Sequence, residues 1–266
     1  MSNHWQIVRT VILTALLSIG AATVSMAAEP ANKVITLRAD PSCPSNCEPS
    51  NDRPGYDIEI AKKIFGDAGY EVDYKALSWS RTVVEVRNGT FDAFVAGIKD
   101  DAPDFLFPQE PAGMLINACV SRKGAGWKWD GVQSLSNKVL GIIPSYQYWP
   151  ELKDYIDANA NNPKRIQPVA MMNALELNLK KLEIGRIDVT CDDISNLRYY
   201  SKEMNLTDKI EFSPGIGEQV PNYIAFGPTN PRGPELARLW DAGIQKMRAS
   251  GELRTILQRY GVSDWK

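Results

Sequence analysis

The segment "GYDIEIAKKIFGDAGYEVDYKAL", residues 55–77, predicts a helix followed by a strand. Its first part carries apolar side chains at the spacing of one helix face, namely Ile58, Ala61, Ile64, Phe65 and Ala68. Gly69 closes this predicted helix, and residues 71–77 then alternate between apolar and polar side chains as a strand does. Because residues 34–40 also predict a strand, the segment is a strand–helix–strand unit.

The same alternation continues outward from this unit. Residues 79–89 predict a helix and residues 91–98 a buried strand, which completes a βαβαβ pattern and implies a parallel sheet. After a connecting strand at residues 116–124 the pattern restarts. It predicts strands at 138–143, 165–170 and 186–191 and helices at 145–160, where Pro144 and Ser145 open the helix, and at 173–185.

The last part of the chain returns towards the first unit. Residues 220–228 predict another extended segment, and two helical runs follow at 233–249 and 251–260. We therefore expect two α/β lobes with two connections, which make a hinge. The predicted bounds are 33–118 plus 222–266 for lobe one and 119–221 for lobe two.

The first 27 residues have the pattern of a cleaved secretory signal peptide. Arg9 precedes an uncharged apolar run, and Ser25 and Ala27 are the small residues expected before a cut after Ala27. An uncleaved anchor is the alternative. Cleavage would also remove His4, the single histidine, so the mature chain would lack imidazole-based catalysis and His-ligated zinc. We expect an exported, periplasmic protein.

Four cysteines remain in a compartment that favours disulfides: Cys43, Cys47, Cys119 and Cys191. Cys43 and Cys47 lie in "PSCPSNCEPSND", residues 41–52, and are interpreted as the two ends of a small stapled loop. An all-cysteine zinc site or a redox pair is the alternative for these two. Cys119 and Cys191 form either a second disulfide or two free buried thiols. We expect no metal site and no cofactor.

Charge and composition exclude further classes of function. The formal net charge is −2, and no basic patch, charge block or low-complexity run is present. Nucleic acid is therefore not an expected partner.

The quoted segments together resemble the periplasmic solute-binding proteins of the polar amino-acid type, family 3. The resemblance rests on the order and spacing of residues 55–65, 79–98, 107–111, 138–146, 182–193 and 249–266. It implies a two-lobed periplasmic-binding-protein fold of type II, with a hinge of two strands and a ligand cleft between the lobes. The strand ends agree with a cleft there, because ligands of open parallel sheets bind beyond the carboxyl ends of the strands.

The resemblance and the strand ends together give a set of candidate ligand-binding residues: Asp40, Trp79, Arg81, Gly97, Lys99, Ser145, Tyr146, Gln147 and Asp193. Asp193 would pair with a ligand ammonium, Trp79 would cover the ligand, and residues 145–147 would form a helix N-terminus that faces an anionic group. The stapled loop would lie at the lip of the cleft. Packing for Trp79, a solvated charge for Arg81 and a helix cap at Asp193 or Asp192 are the alternatives.

One position departs from the family. The arginine that grips a ligand carboxylate falls on Asp101 or Ala102, in a stretch that we expect to be an exposed acidic loop. Such a site would repel a carboxylate and favour a cation, with Arg81 as a replacement charge from another direction. The sequence does not identify the ligand.

Three classes of function follow from the resemblance. The first is binding of a small polar solute, amino-acid-like or cationic, by a monomer that delivers it to the permease of an ABC transporter. The second is an accessory or sensory role, for example beside a quinoprotein dehydrogenase. The third is a cyclohexadienyl dehydratase-like enzyme, for which Glu48 or Glu110 would be the acid. We expect a binding protein and not an enzyme.

Overall fold

Strands and helices alternate along the chain and build two sheets. The structure is a computed structural model that describes residues 33–144 and 146–266. Its strands are β1 (Lys33–Ala39), β2 (Tyr70–Ala76), β3 (Ala93–Gly97), β4 (Gly113–Leu115), β5 (Asn117–Arg122), β6 (Leu140–Ile142), β7 (Ile166–Pro168), β8 (Val189–Asp193), β9 (Ile210–Pro214) and β10 (Val220–Phe226). Its helices are α1 (Tyr56–Asp67), α2 (Trp79–Arg87), α3 (Pro150–Asn159), α4 (Ala174–Glu183), α5 (Ile194–Glu203), α6 (Gly233–Ser250) and α7 (Glu252–Arg259).

The first sheet has the strand order β2-β1-β3-β10-β4, and the second has the order β7-β6-β8-β5-β9. In the first, β1 runs parallel to β2 and β3, and β10 runs antiparallel to β3 and β4. The second repeats this plan, with β6 parallel to its neighbours and β5 antiparallel to its own. Lobe one is the first sheet with α1, α2, α6 and α7, and lobe two is the second sheet with α3, α4 and α5. The predicted two-lobed α/β fold is confirmed.

The chain passes between the sheets twice. It leaves lobe one after β4 through Ile116, and it returns between β9 and β10 through residues 215–219. Each crossing is tied to a neighbour, since the Ile194 N–H donates to the Ile116 carbonyl at 2.8 Å and the Ile216 N–H donates to the Asn117 carbonyl at 3.0 Å. We propose that these two crossings are the hinge; the residue bounds predicted for the lobes stay a prediction.

The apolar face of α1 anchors the helix in the core of lobe one. Ile58, Ile64 and Phe65 are buried, and the Phe65 ring lies 6.3 Å from that of Trp240 and 6.4 Å from that of Phe226, centroid to centroid. The helix ends before Gly69, whose φ of +80° is the left-handed conformation that terminates helices. The sequence period therefore sets both the buried face and the end of α1.

The N-terminus of α1 is capped by the stapled loop. This clamp loop, residues 41–54, joins β1 to α1 and contains the disulfide between Cys43 and Cys47. Its Pro44 and Ser45 carbonyls accept the N–H groups of Tyr56 at 3.1 Å and Asp57 at 2.9 Å. Helix N–H groups at this end have no partner inside the helix, so the loop supplies the partners that α1 lacks.

Glycine is required where the clamp loop meets α1. Gly55 has a φ of +105°, and a Cβ atom there would lie 2.2 Å from the Ser45 carbonyl oxygen. Any larger residue would push the loop away from the helix.

The second disulfide joins the two central strands of lobe two. Cys119 in β5 and Cys191 in β8 face each other in the antiparallel register, with their Cα atoms 4.0 Å apart. Both side chains are buried in the same apolar cluster as Trp127 and Leu140.

The predicted start of the third helix is wrong. The helix α3 begins at Pro150, and residues 146–149 are not helical. Proline suits the first turn of a helix but prevents the turn before it, and Trp149 accordingly has a ψ of 152°. Tyr146 and Gln147 therefore do not form a helix N-terminus, and Ser145 lies outside the described residues.

The prediction of an exposed loop at Ala102 is also wrong. Ala102 has 0% exposure and packs in a cluster with Val86, Phe94 and Phe105 on the second face of the first sheet. Its neighbour Asp100 is exposed. The acidic segment thus alternates between solvent and core, which composition alone does not reveal.

We expect Ala102→Arg to destabilise the protein by about 3 kcal/mol or more, because the cluster around Ala102 has no room and no partner for a guanidinium. Asp100→Arg, two residues earlier, is the matched control and should change stability by less than about 0.5 kcal/mol. Urea unfolding of both variants measures the difference. Equal stability of the two would contradict the buried position of Ala102.

Candidate functional site

A cavity of about 120 Å³ lies between the two lobes, at the carboxyl ends of β1, β3 and β8. Lobe one contributes Asp40, directly after β1, and Asp101, in a short 3₁₀ turn after β3. Lobe two contributes Asp192 and Asp193, the last residues of β8. This is the end of a parallel sheet at which ligands bind.

The cavity is acidic. Its four carboxylates come from both lobes, and no Lys, Arg or His is among the described residues that line it. Within the described ranges, the charges that act on these carboxylates are those of one another and of Asp100, and none is a cation. A solute that enters meets negative charge without a counter-ion.

Burial raises the pKa of all four carboxyl groups, including that of Asp193. It raises the pKa of Asp40 to about 6, a rise that the hydrogen bond from Tyr146 reduces and the charge of Asp101 increases. Burial also raises the pKa of Asp101 to about 6 and that of Asp192 to about 7. These carboxyl groups therefore exchange their protons at about pH 6 to 7, because their charged forms are desolvated.

Asp193 is bound chiefly to the backbone. Its Oδ1 accepts the N–H of Ser195 at 2.8 Å and the N–H of Asn196 at 3.4 Å, which caps α5. Its Oδ2 accepts the N–H of Ile116 at 2.7 Å, in the crossing between the lobes. The cap interpretation of Asp193 therefore has direct support, and contact with a ligand ammonium stays a prediction.

Asp192 has one oxygen without a hydrogen bond to a described residue, whereas both oxygens of Asp193 accept hydrogen bonds. Its Oδ1 accepts the backbone N–H of Asp193 at 2.7 Å and the Asn196 amide at 2.9 Å. Its Oδ2 forms no hydrogen bond within the described part of the chain. Sequence reasoning treated Asp192 only as an alternative cap; the signal for it is the strand "VTCDD", residues 189–193, which ends at the cleft edge.

The clamp loop and the end of β1 reach across the cleft to lobe two. The Tyr146 hydroxyl donates to Asp40 Oδ2 at 2.7 Å. The Asn196 amide donates to Ser42 Oγ at 2.7 Å, and the backbone N–H of Cys43 donates to the Tyr200 hydroxyl at 3.4 Å. These three bonds hold the lobes together at the lip of the cavity.

Aromatic side chains form the apolar part of the wall. Trp79 and Tyr56 come from lobe one, and Tyr148 and Trp149 come from lobe two. Trp79 stands edge-on to Phe94 with 5.2 Å between ring centroids. The predicted site residue Gly97 makes this packing possible, since a Cβ there would lie 2.7 Å from Trp79 and 2.4 Å from Phe94.

The structure places two predicted cations away from the cavity. Arg81 is exposed on α2 and pairs with Glu85 at 3.6 Å. This position agrees with the alternative interpretation of Arg81 as a solvated charge on the helix surface. Lys99 is also exposed, with its Nζ 5.2 Å from the centre of the Tyr223 ring. Asp40, Trp79, Tyr146, Gln147 and Asp193 do line the cavity.

Comparison with known proteins supports the family and the fold. The sequence model of the bacterial extracellular solute-binding proteins, family 3, matches residues 35–102. No curated protein matches the chain at a significant level of sequence similarity. The family resemblance predicted from the sequence is confirmed.

Three solved structures illustrate the likeness in fold. One comes from work on glutathione import via GshT and the cystine ABC importer TcyBC of Streptococcus mutans; it is 18% identical, with a TM-score of 0.73 over 87% of this chain and 96% of that one. A Streptococcus pneumoniae ABC uptake transporter substrate-binding protein with bound histidine is 17% identical, with a TM-score of 0.71 over 86% and 92%. A histidine kinase sensor domain similar to periplasmic binding proteins is 16% identical, with a TM-score of 0.69 over 87% and 98%.

Within the described ranges, no helix is both long and apolar enough to cross a lipid bilayer. The predicted signal peptide, residues 1–27, lies outside the described residues.

We expect Asp193→Ala to lower the free energy of unfolding by about 1–3 kcal/mol, because it removes the α5 cap and leaves the Ile116 N–H without its partner. Asp193→Asn should lose less, since an amide oxygen also caps a helix. Urea denaturation of both variants tests this. If Asp193→Ala were as stable as the parent, the hydrogen bonds of this carboxylate to Ile116 and to the N-terminus of α5 would not stabilise the fold.

The raised pKa of Asp192 gives a pH-dependent prediction for the protein without solute. An acid whose pKa is higher in the folded state stabilises the fold at low pH, and this contribution is lost as pH rises from about 4 to about 7. Asp192→Asn should therefore be more stable than the parent by about 2–4 kcal/mol at pH 7.5, and this difference should shrink towards zero at about pH 4.

Thermal unfolding at the two pH values measures this difference. Carboxylates whose pKa is lowered by hydrogen bonds and ion pairs, such as Asp92 and Glu110, affect stability only at lower pH. If Asp192→Asn were less stable than the parent at pH 7.5, the ionised Asp192 carboxylate would stabilise the fold instead of destabilising it.

Proposed function

We propose that this chain, given its family-3 resemblance, binds a small polar solute between its two lobes and delivers it to the permease of an ABC importer. In this proposal the protein is exported to the periplasm by its signal peptide and acts as a monomer. The observation that carries the proposal is the cavity at the strand ends of both sheets, with hydrogen bonds across its lip.

Closure of the two lobes over a solute gives the bound protein a shape that a permease can distinguish from the empty one. The residues that surround the solute come from both lobes, so a bound solute stabilises the closed arrangement over any open one. The clamp loop supports this role because its disulfide limits the freedom of Ser42 and Cys43, which contact lobe two. A loop that is already ordered loses less entropy on closure.

The enzyme alternative has less support. Glu48 is exposed, and Glu110 is held by Lys266 and Arg248 at 2.6 Å and 3.3 Å; neither lines the cavity. Binding without catalysis is therefore our proposal. An accessory or sensory role uses the same closure, and the likeness to a sensor domain concerns the fold alone.

The test is a thermal-shift screen of the purified protein against amino acids, amines and small organic acids. A solute at about 100 times its Kd should add about 2.7 kcal/mol of stability. Absence of any saturable shift would argue against solute binding. With a solute in hand, loss of its uptake after deletion of the gene would support import, and unchanged uptake would favour the accessory or sensory role.

We expect Ser42→Ala to weaken binding of the solute found in this screen by about two- to tenfold, because it removes the acceptor of the Asn196 amide across the lip. Ser50→Ala, an exposed change in the same clamp loop, is the matched control and should leave affinity unchanged. Calorimetric titration of both variants gives the comparison. If the Ser42→Ala and Ser50→Ala variants bound the solute equally well, the clamp loop would have no part in closure of the lobes.

A further inference from the structure

The cavity carries negative charge that no cation among the described residues of its wall balances. Asp40, Asp101 and Asp192 each keep one carboxylate oxygen without a hydrogen bond to another described residue. Asp193 differs, because three backbone N–H groups occupy its oxygens. Three carboxylates are therefore available to a solute, two from lobe one and one from lobe two.

A carboxylate on the solute would find no charged partner there. The described wall holds no Lys or Arg, and the N-termini of α3 and α5 are not available as anion sites. Asp193 already occupies the first N–H groups of α5. The helix α3 begins with Pro150, which has no N–H, and carries Glu151 in its first turn. An anionic group would be repelled by the three carboxylates when they are ionised.

A bare metal ion fits the arrangement less well than an organic cation. In the described part of the chain, no three His, Cys, Asp or Glu side chains are grouped to hold a metal ion. The carboxylates are instead distributed over both sides of the cleft. Between these charges the wall is aromatic, with Trp79 from lobe one and Tyr148 and Trp149 from lobe two. Aromatic faces attract ammonium groups and also cover apolar carbon.

We infer that the solute is an organic cation with two amine groups joined by a short apolar chain and with no carboxylate. One amine would meet Asp40 and Asp101 on lobe one, and the other would meet Asp192 on lobe two. The carbon chain would lie against the aromatic wall. This inference rests on the proposed binding function and names the class of solute for the same cavity.

The inference is tested with a diamine and two compounds that each differ from it by one chemical group. These are 1,5-diaminopentane, lysine, which adds a carboxylate to that diamine, and pentylamine, which lacks the second amine. Calorimetric titration of the purified protein at pH 8 should give 1,5-diaminopentane at least about tenfold tighter binding than either of the others. Tighter binding of lysine would overturn the exclusion of a carboxylate, and equal binding of pentylamine would overturn the second amine.

Variants then locate the charges. Asp101→Asn and Asp192→Asn should each weaken 1,5-diaminopentane by at least about tenfold, since each removes a charge-assisted contact but keeps the shape of the side chain. Asp100→Asn, whose side chain is exposed and does not line the cavity, is the matched control and should bind as the parent does. Equal affinity of all three variants would overturn the inference.

The pH dependence separates this inference from binding of an anion. Amines stay charged between pH 5 and pH 8, but Asp40 and Asp101, with pKa values of about 6, and Asp192, with a pKa of about 7, take up protons over that range. Affinity for 1,5-diaminopentane should therefore fall by at least about tenfold from pH 8 to pH 5.

If amino acids or organic acids bind and the diamine does not, only the solute class is wrong. If no solute of any class binds, the proposed function itself fails.

Discussion

The carboxylate of Asp193 joins the parts of the protein that the cavity depends on. One oxygen caps α5, and the other accepts the N–H of Ile116, where the chain passes between the sheets. The end of β8, the start of α5 and one of the two crossings are therefore fixed to one another. Because Asp192 is the preceding residue, its position in the cavity follows from this junction.

The clamp loop makes the corresponding connection on lobe one. Its carbonyls cap α1, and its side chains and backbone reach Asn196 and Tyr200 on α5. The same short loop therefore completes a helix of one lobe and contacts a helix of the other. A disulfide in such a loop has a local effect, since it closes a ring of few residues and adds little to global stability. Its value is that it keeps the lip ordered.

The sequence predicted the parts of the fold that depend on local periodicity. The apolar spacing of α1, its end at Gly69 and the alternation of strands follow from side chains within one element. The start of α3 could also have been predicted, because Pro150 marks a first helical turn. Burial of Ala102 could not, since it depends on the segment after β3 folding back onto Phe94 and onto Ala225 of β10. For the same reason the sequence did not separate cavity-facing Asp101 from solvent-facing Asp100.

Stability and binding make opposite demands on the cavity. Desolvated carboxylates without counter-ions weaken the fold near neutral pH, which is why Asp40 and Asp192 have raised pKa values. An arginine in the wall would relieve that cost, but it would also occupy the charge that a solute could use. Protein sites retain such unfavourable groups where a ligand supplies the missing partner. The unbalanced charge is thus the property of this cavity that most restricts what it can bind.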